Sequence, residues 1–91
     1  MKAFNINHII KVKLTNHAKD IYYHQHDKLN KSYGRELIKP SYPEVDKDGF
    51  TEFQLWHFIE IYGPYMHMTS PMILQDNNIY ISEENLRDVE G

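Results

Sequence analysis

The chain contains no cysteine among its 91 residues. Disulfide bridges are therefore excluded, together with every zinc finger that binds its metal through thiolates, so a transition metal could be held only by His, Asp or Glu. Long apolar runs are also missing. No stretch approaches the roughly 18 apolar residues of a membrane span, and the first residues lack an apolar segment of signal-peptide length. We therefore expect a cytoplasmic protein.

Clustered basic residues are a further absence. Ten Lys and Arg against thirteen Asp and Glu give a formal net charge of −3, and they are too scattered to form a footprint for a phosphate backbone. Direct binding to nucleic acid is therefore disfavoured. The length predicts a single domain, residues 1–91, that buries only about 60–65% of the surface of its unfolded chain. A metal ion or a partner would add stability to so small a core.

The first half of the chain predicts a strand followed by a helix. In "HIIKVKLT", residues 8–15, apolar and basic side chains alternate, which is typical of a half-buried strand. Asn16 is of a residue type preferred at helix N-caps, and Gly34 is of the type preferred where helices end. Between them, the residues on one arc form the predicted core face. These are Ala18, Ile21, Tyr22, Gln25, Leu29 and Tyr33.

The second half predicts another helix and a hairpin. In "FTEFQLWHFIEIYGP", Thr51 and Gln54 match a capping box, and the mostly apolar sequence favours a central helix covered on several sides. "PMILQ" and "IYIS" flank Asp76, Asn77 and Asn78, as the strands of a β-hairpin would flank their loop. A short helix capped by Ser82 could end the chain. The order β-α-α-β-β therefore predicts an α+β domain with a small antiparallel sheet.

Three of the six histidines lie in "NHAKDIYYHQHDK", residues 16–28. At about 100° per residue, and with Asp20 at zero, Asp27 lies near −20°, His24 near 40° and His17 near 60°. Asp20 and His24 also have the i, i+4 spacing at which two side chains can bind one ion. His26 points elsewhere. The alternative is a solvated helix face, because the stripe lies opposite the apolar arc.

A closed zinc site needs about four ligands, and one helix face seldom supplies more than two or three. The non-helical segment "PYMHMTSP", residues 64–71, could supply His67. Asp27 or His57 could then complete the set with Asp20 and His24, although a histidine on an apolar helix is more often a hydrogen-bonded core residue. This hypothesis predicts a structural zinc ion that holds the His67 segment against the first helix.

Other chemistry has less support in the sequence. "EVDKDGFTEFQL" resembles part of an EF-hand loop, but Leu55 stands where the bidentate Glu is required, so Asp48-Gly49 is better explained as a turn. A nucleophile elbow, a phosphate-binding loop, a dinucleotide fingerprint and an H-E-x-x-H motif are all missing from the sequence. We therefore expect a protein that is not an enzyme.

Three stretches carry a resemblance to known proteins: "KDIYYHQHDKLN", "GRELIKPSYPEVDKDGFTEFQLW" and "IYGPYM". They resemble a group of short proteins encoded by temperate phages of Gram-positive bacteria, over roughly residues 5–68. Small phage proteins of this kind include inhibitors of host defence, and the chain is compatible with an anti-CRISPR protein aimed at a type II nuclease. One anti-CRISPR group of that class contains zinc. The resemblance implies no individual ligand and no role for residues 69–91.

These observations together predict a metal-stabilised inhibitor that binds a host defence protein in the host cytoplasm. Tyr23, Tyr42 and Tyr65 are candidate partner-binding residues because tyrosine is enriched at interface hot spots, although ordinary partial burial is the alternative for each. Two other classes stay open. A DNA-binding regulator would give a gel shift in modest salt, and a small metal-dependent hydrolase would turn over a phosphoester and lose that activity on chelation.

Overall fold

The protein has an α+β fold, seen in a computed structural model that describes residues 1–67 and 69–89. Two antiparallel sheets are present in this part of the chain: a three-stranded sheet of order β3-β2-β4 and a two-stranded sheet of β1 and β5. Turns of 3₁₀ helix follow α3 and precede β5, at Gly63–Tyr65 and Glu83–Asn85. The elements are β1 (Lys2–Phe4), β2 (Ile9–Leu14), α1 (Asn16–His24), α2 (Asp27–Tyr33), β3 (Thr51–Gln54), α3 (Leu55–Tyr62), β4 (Leu74–Tyr80) and β5 (Leu86–Asp88).

Strand β2 confirms the alternation seen in the sequence. Ile10, Val12 and Leu14 are at most 1% exposed, whereas Lys11 points away from the core. Because β2 pairs with β3 on one side and with β4 on the other, it is the central strand of the larger sheet. Its inward side chains form the centre of the hydrophobic core.

The single helix predicted between Asn16 and Gly34 is two helices. Thr15 caps α1 in place of Asn16, since its hydroxyl accepts the Ala18 N–H at 3.1 Å. Gly34 ends α2 as predicted, with a left-handed φ of 66° that suits glycine. The predicted core face holds only for α1: Ala18, Ile21 and Tyr22 pack in the core, whereas on α2 Leu29 and Tyr33 are exposed.

The predicted second helix begins three residues later than the sequence indicated, with Gln54 at the N-cap position predicted for Thr51. Thr51–Gln54 forms strand β3, so the capping box was wrong: Gln54 precedes α3 and makes no side-chain cap. The period-two pattern explains the strand, because Thr51 and Phe53 are buried while Glu52 and Gln54 are exposed. The helix buries one face, and its Trp56 side remains 41% exposed, so α3 is not covered on several sides.

The predicted hairpin was also wrong. Both flanks of the Asp76–Asn78 segment belong to β4 and pair with β2, at Leu14↔Leu74 and Val12↔Ile79. The intervening residues form a bulge, in which Asn77 takes a left-handed φ of 57°. The loop composition was therefore detected correctly, but it marks an irregularity within one strand.

The predicted carboxy-terminal helix is only the Glu83–Asn85 3₁₀ turn, and Ser82 makes no side-chain cap there. After this turn β5 pairs with β1 near the start of the chain, with Lys2 opposite Asp88. The radius of gyration is 15.4 Å, above the roughly 12 Å of a compact chain of this length. Among the helices that the structure describes, none is long and apolar enough to cross a membrane.

Candidate functional site

The break between α1 and α2 brings two of the predicted metal ligands together. His24 ends α1, Asp27 begins α2, and His24 Nδ1 lies 2.6 Å from Asp27 Oδ2. Both side chains are more than half exposed. The two residues are three positions apart in the chain. Asp20, the predicted i, i+4 partner of His24, lies on the exposed surface of α1. The pair offers an imidazole and a carboxylate side by side, which are both suitable ligands for zinc.

The two remaining candidates lie in other environments. His57 on α3 is partly buried, with its ring 5.2 Å from that of Trp56 and 6.1 Å from that of Phe53. His67 is exposed and lies within 3.0 Å of the Ser70 hydroxyl. Met68, in the same segment, lies outside the described residues.

Within residues 1–67 and 69–89, no three His, Asp or Glu side chains are gathered as a metal-binding group. The structure thus brings together His24 and Asp27 from the predicted set, without the approximately four ligands of a closed tetrahedral site. A structural zinc ion remains a prediction, and its direct test is metal content.

Two of the predicted partner-binding tyrosines form a stacked pair. Tyr23 on α1 and Tyr42 in the loop before β3 have ring centroids 4.6 Å apart and planes inclined by 29°. We call these two residues the aromatic pair. Tyr42 is 60% exposed, so one ring of the pair faces solvent. The edge of the Tyr23 ring also meets the His24 ring, at 4.9 Å and 80°, which joins the aromatic pair to the His24–Asp27 contact in one surface.

Tyr65 lies apart from the aromatic pair. It belongs to the 3₁₀ turn after α3, is 45% exposed, and lines a separate depression of about 500 Å³ with Met66 and Met72. Tyr42 instead lines a different groove. The sequence therefore named two tyrosines of one surface and a third that belongs to another.

A groove of about 820 Å³ runs between the segment 41–46 and strand β3. We call it the edge groove. Fourteen of the described residues line it; three of these are carboxylates, and none is Lys or Arg. Rings of Tyr22, Tyr42 and Phe53 line it as well. The carboxylates are Glu44, Asp46 and Glu52.

Asp46 fixes the end of the segment that forms one wall of the edge groove. Its Oδ1 accepts the backbone N–H groups of Asp48 and Phe50, each at 2.9 Å, and its own N–H donates to the Phe50 carbonyl at 2.8 Å. The Phe50 N–H is the main cause that holds the pKa of Asp46 below its usual range. Asp46 is therefore ionised at neutral pH. The sequence did not single it out, although the Asp48-Gly49 turn that follows it was a signal that could have done so.

Asn30 is a structural residue that the sequence did not single out. Its side-chain oxygen accepts the N–H groups of Leu37 and Ile38, at 2.9 and 3.0 Å, and its side-chain nitrogen donates to the Ile38 carbonyl at 2.9 Å. These bonds attach the chain that follows Gly34 to α2 and so direct it toward the segment 41–46. No periodicity in the sequence signals such a role.

Comparisons with protein-family models, with curated proteins and with solved structures find no match to this chain. The aromatic pair, the edge groove and the His24–Asp27 contact are therefore the features from which a function can be inferred.

Proposed function

We propose that this protein is not an enzyme and acts by binding another protein through the surface that contains the aromatic pair. The observation that carries the proposal is the stacking of Tyr23 on Tyr42 while Tyr42 remains 60% exposed. Stacking restrains the exposed Tyr42 ring before a partner binds, so less side-chain conformational entropy is lost on binding. Tyrosine also offers a large amphipathic contact area with few rotatable bonds, which is why it is frequent at hot spots.

The neighbouring residues extend this surface. Tyr23 contacts the His24 ring, His24 contacts Asp27, and Tyr42 forms part of the edge groove. Aromatic area bordered by groups that can form hydrogen bonds is typical of the centre and rim of a protein interface. The surface draws on α1, α2 and the loop before β3, so it depends on the folded state.

The resemblance to phage proteins supports a particular class of partner. We propose a host defence protein in the host cytoplasm, with a type II CRISPR nuclease as the first to be tested, and inhibition by occupation of its surface. A structural zinc ion bound by His24 and Asp27, among other ligands, belongs to the same proposal. Its contribution would be to hold α1 and α2 in the orientation that presents Tyr23.

The test combines an interference assay with direct capture. Wild-type protein expressed beside a type II CRISPR system should restore transformation by a targeted plasmid, and the tagged protein should retain the nuclease from lysate. Tyr42→Ala should lose most of both effects while its melting temperature changes little. Tyr33→Ala is the matched control, since Tyr33 is similarly exposed, at 64%, and lies outside the aromatic pair.

Two results would contradict the proposal. If wild-type protein neither restores transformation nor retains the nuclease, the type II CRISPR nuclease is not its partner. Equal activity of Tyr42→Ala and Tyr33→Ala would remove the aromatic pair from the interface.

A further inference from the structure

We infer that the edge groove receives an extended, Lys- or Arg-containing segment of the partner, which adds as a strand beside β3. The inference rests on the proposed function in taking the partner to be a protein, and it names the chemistry that the groove would recognise. Its support comes from the unpaired edge of β3, the wall formed by the segment 41–46, and the charge of the lining.

Strand β3 exposes one backbone edge. It lies at the end of the order β3-β2-β4, so among residues 1–67 and 69–89 only β2 pairs with it as a strand. Leu55 N–H donates to the His8 carbonyl at 3.1 Å, which sets the alternation of hydrogen-bonded pairs along β2 and β3. By that alternation the N–H and C=O of Glu52, and the N–H of Gln54, point away from β2. Glu52 therefore offers both backbone groups that a strand residue exchanges with an added strand.

The chain itself pairs with this edge at one position and then leaves it. The Phe50 carbonyl, two residues before Glu52, accepts the Asp46 N–H at 2.8 Å. Beyond that bond, β3 has no second partner strand within the described parts of the chain. The space between β3 and the segment 41–46 is instead the edge groove, and its volume of about 820 Å³ falls in the range of about 300–1,000 Å³ typical of ligand sites.

The lining selects a positively charged occupant. Glu44, Asp46 and Glu52 lie in the groove, and the described residues that line it include one imidazole, His57, but no Lys or Arg. Lys11 Nζ does lie 3.8 Å from the Glu52 carboxylate, but both side chains are about half exposed, so the pair is weak and can be exchanged. An incoming ammonium or guanidinium group would therefore meet the Glu52 carboxylate, whose charge Lys11 compensates only weakly.

The aromatic lining suits the same occupant. Side chains of an extended segment alternate between two faces, so neighbouring residues can meet the carboxylates and the rings of Tyr22 and Tyr42 in turn. The methylene stem of Lys or Arg packs on apolar surface, and a cation above an aromatic face is attracted to it. Backbone bonds to Glu52 would supply affinity that is independent of sequence, and the carboxylates would supply the preference for charge.

The experiment uses a fluorescein-labelled, acetylated and amidated octapeptide of alternating Lys and Val, with binding to the full-length protein followed by fluorescence anisotropy. A peptide with Glu in place of Lys is the ligand control. We expect saturable binding of the Lys peptide that weakens at high salt, and much weaker binding of the Glu peptide.

Four variants, one of them a control, separate the contribution of charge from that of backbone pairing. Glu44→Gln and Glu52→Gln should each raise the dissociation constant about twofold to fivefold at low salt. Glu60→Gln, an exposed carboxylate of α3 outside the groove lining, is the matched control and should leave it unchanged. Glu52→Pro removes the outward N–H without removing a bond to β2, so it should weaken binding more than Glu52→Gln does, with the fold checked by circular dichroism.

The outcomes distinguish this inference from the proposed function. An absence of peptide binding, or equal binding by Glu52→Gln and Glu60→Gln, would overturn the groove while capture of the nuclease through Tyr42 could still stand. Peptide binding without capture of the nuclease would support the edge groove as a binding site and contradict the proposed nuclease partner. A wild-type dimer that Glu52→Pro converts to monomer would assign the edge to a second copy and overturn the inference.

Discussion

Tyr62 should be the most sensitive single position for stability. Its ring is fully buried and packs against Phe53 and Phe58, at centroid distances of 6.0 and 5.2 Å. Its hydroxyl donates to the Ala18 carbonyl at 3.0 Å, which ties α3 to α1. Tyr62→Phe keeps the packing and deletes this bond, so it isolates one polar contact in the core.

The expected loss in free energy of unfolding can be estimated from this hydrogen bond. A neutral hydrogen bond contributes about 0.5–1.5 kcal/mol, and for a domain of this size each kcal/mol shifts the melting temperature by roughly 4–8 °C. Tyr62→Phe should therefore melt about 2–12 °C below wild type. Tyr62→Ala, which also removes the ring, should cost about 3–5 kcal/mol. Tyr33→Phe, at an exposed site, serves as the control in thermal and urea unfolding.

The same residue gives a pH signature. Burial raises the pKa of the Tyr62 hydroxyl, with a smaller contribution from Tyr22. The folded protein then keeps a proton that the unfolded chain loses near its ordinary pKa of about 10, so stability is full below that pH and falls above it. One such group changes stability by at most about 1.4 kcal/mol per pH unit. The free energy of unfolding of wild type should therefore fall toward that of Tyr62→Phe above about pH 10.

The reasoning would be refuted by a Tyr62→Phe protein as stable as wild type at neutral pH. A stability difference that stays constant above pH 10 would refute the assignment of the buried hydroxyl while leaving its packing role intact.

Two further predictions concern the helical region and the metal. Plasma mass spectrometry of untagged protein should find near one zinc per chain, reduced in His24→Ala and in Asp27→Asn but not in His17→Ala; metal-free wild type would contradict the zinc proposal. Asn30→Ala should lose the bonds that hold the chain after Gly34, so amide exchange of Leu37 should accelerate while β2 stays protected. Unchanged exchange at Leu37 would show that the turn is held by other contacts.

The parts of the fold that the sequence revealed were those with local patterns. Alternating side chains located β2, and the glycine at position 34 located a helix end, where the structure has a left-handed φ. Thr51–Gln54 was misassigned because four residues satisfied both a capping box and a period of two, and only pairing with β2 decides between them. Strands β1 and β5 lie at opposite ends of the chain, so no local pattern could show their pairing.

The candidate site divides in the same way. His24 and Asp27 are close in sequence and do meet, but they do so across the break between α1 and α2 and not on one helix face as predicted. Tyr23 and Tyr42 were predicted as partner-binding tyrosines without any contact between them, because their stacking depends on how the loop before β3 returns to α1. The edge groove could not be predicted at all, because β3 itself was not recognised as a strand.

The bulge in β4 makes the two edges of the larger sheet unequal. Around Asn77 the strand departs from the straight ladder that another chain would need as a template, and its Asp76 carboxylate is occupied locally by the Asn78 N–H and the Tyr80 hydroxyl. Open-ended polymerisation by edge-to-edge pairing of sheets requires two compatible edges on every molecule. In the part of the chain that the structure describes, β3 is the one regular edge of the larger sheet. This sheet can therefore recruit one strand and then stop, so assemblies through it should be closed and of fixed size.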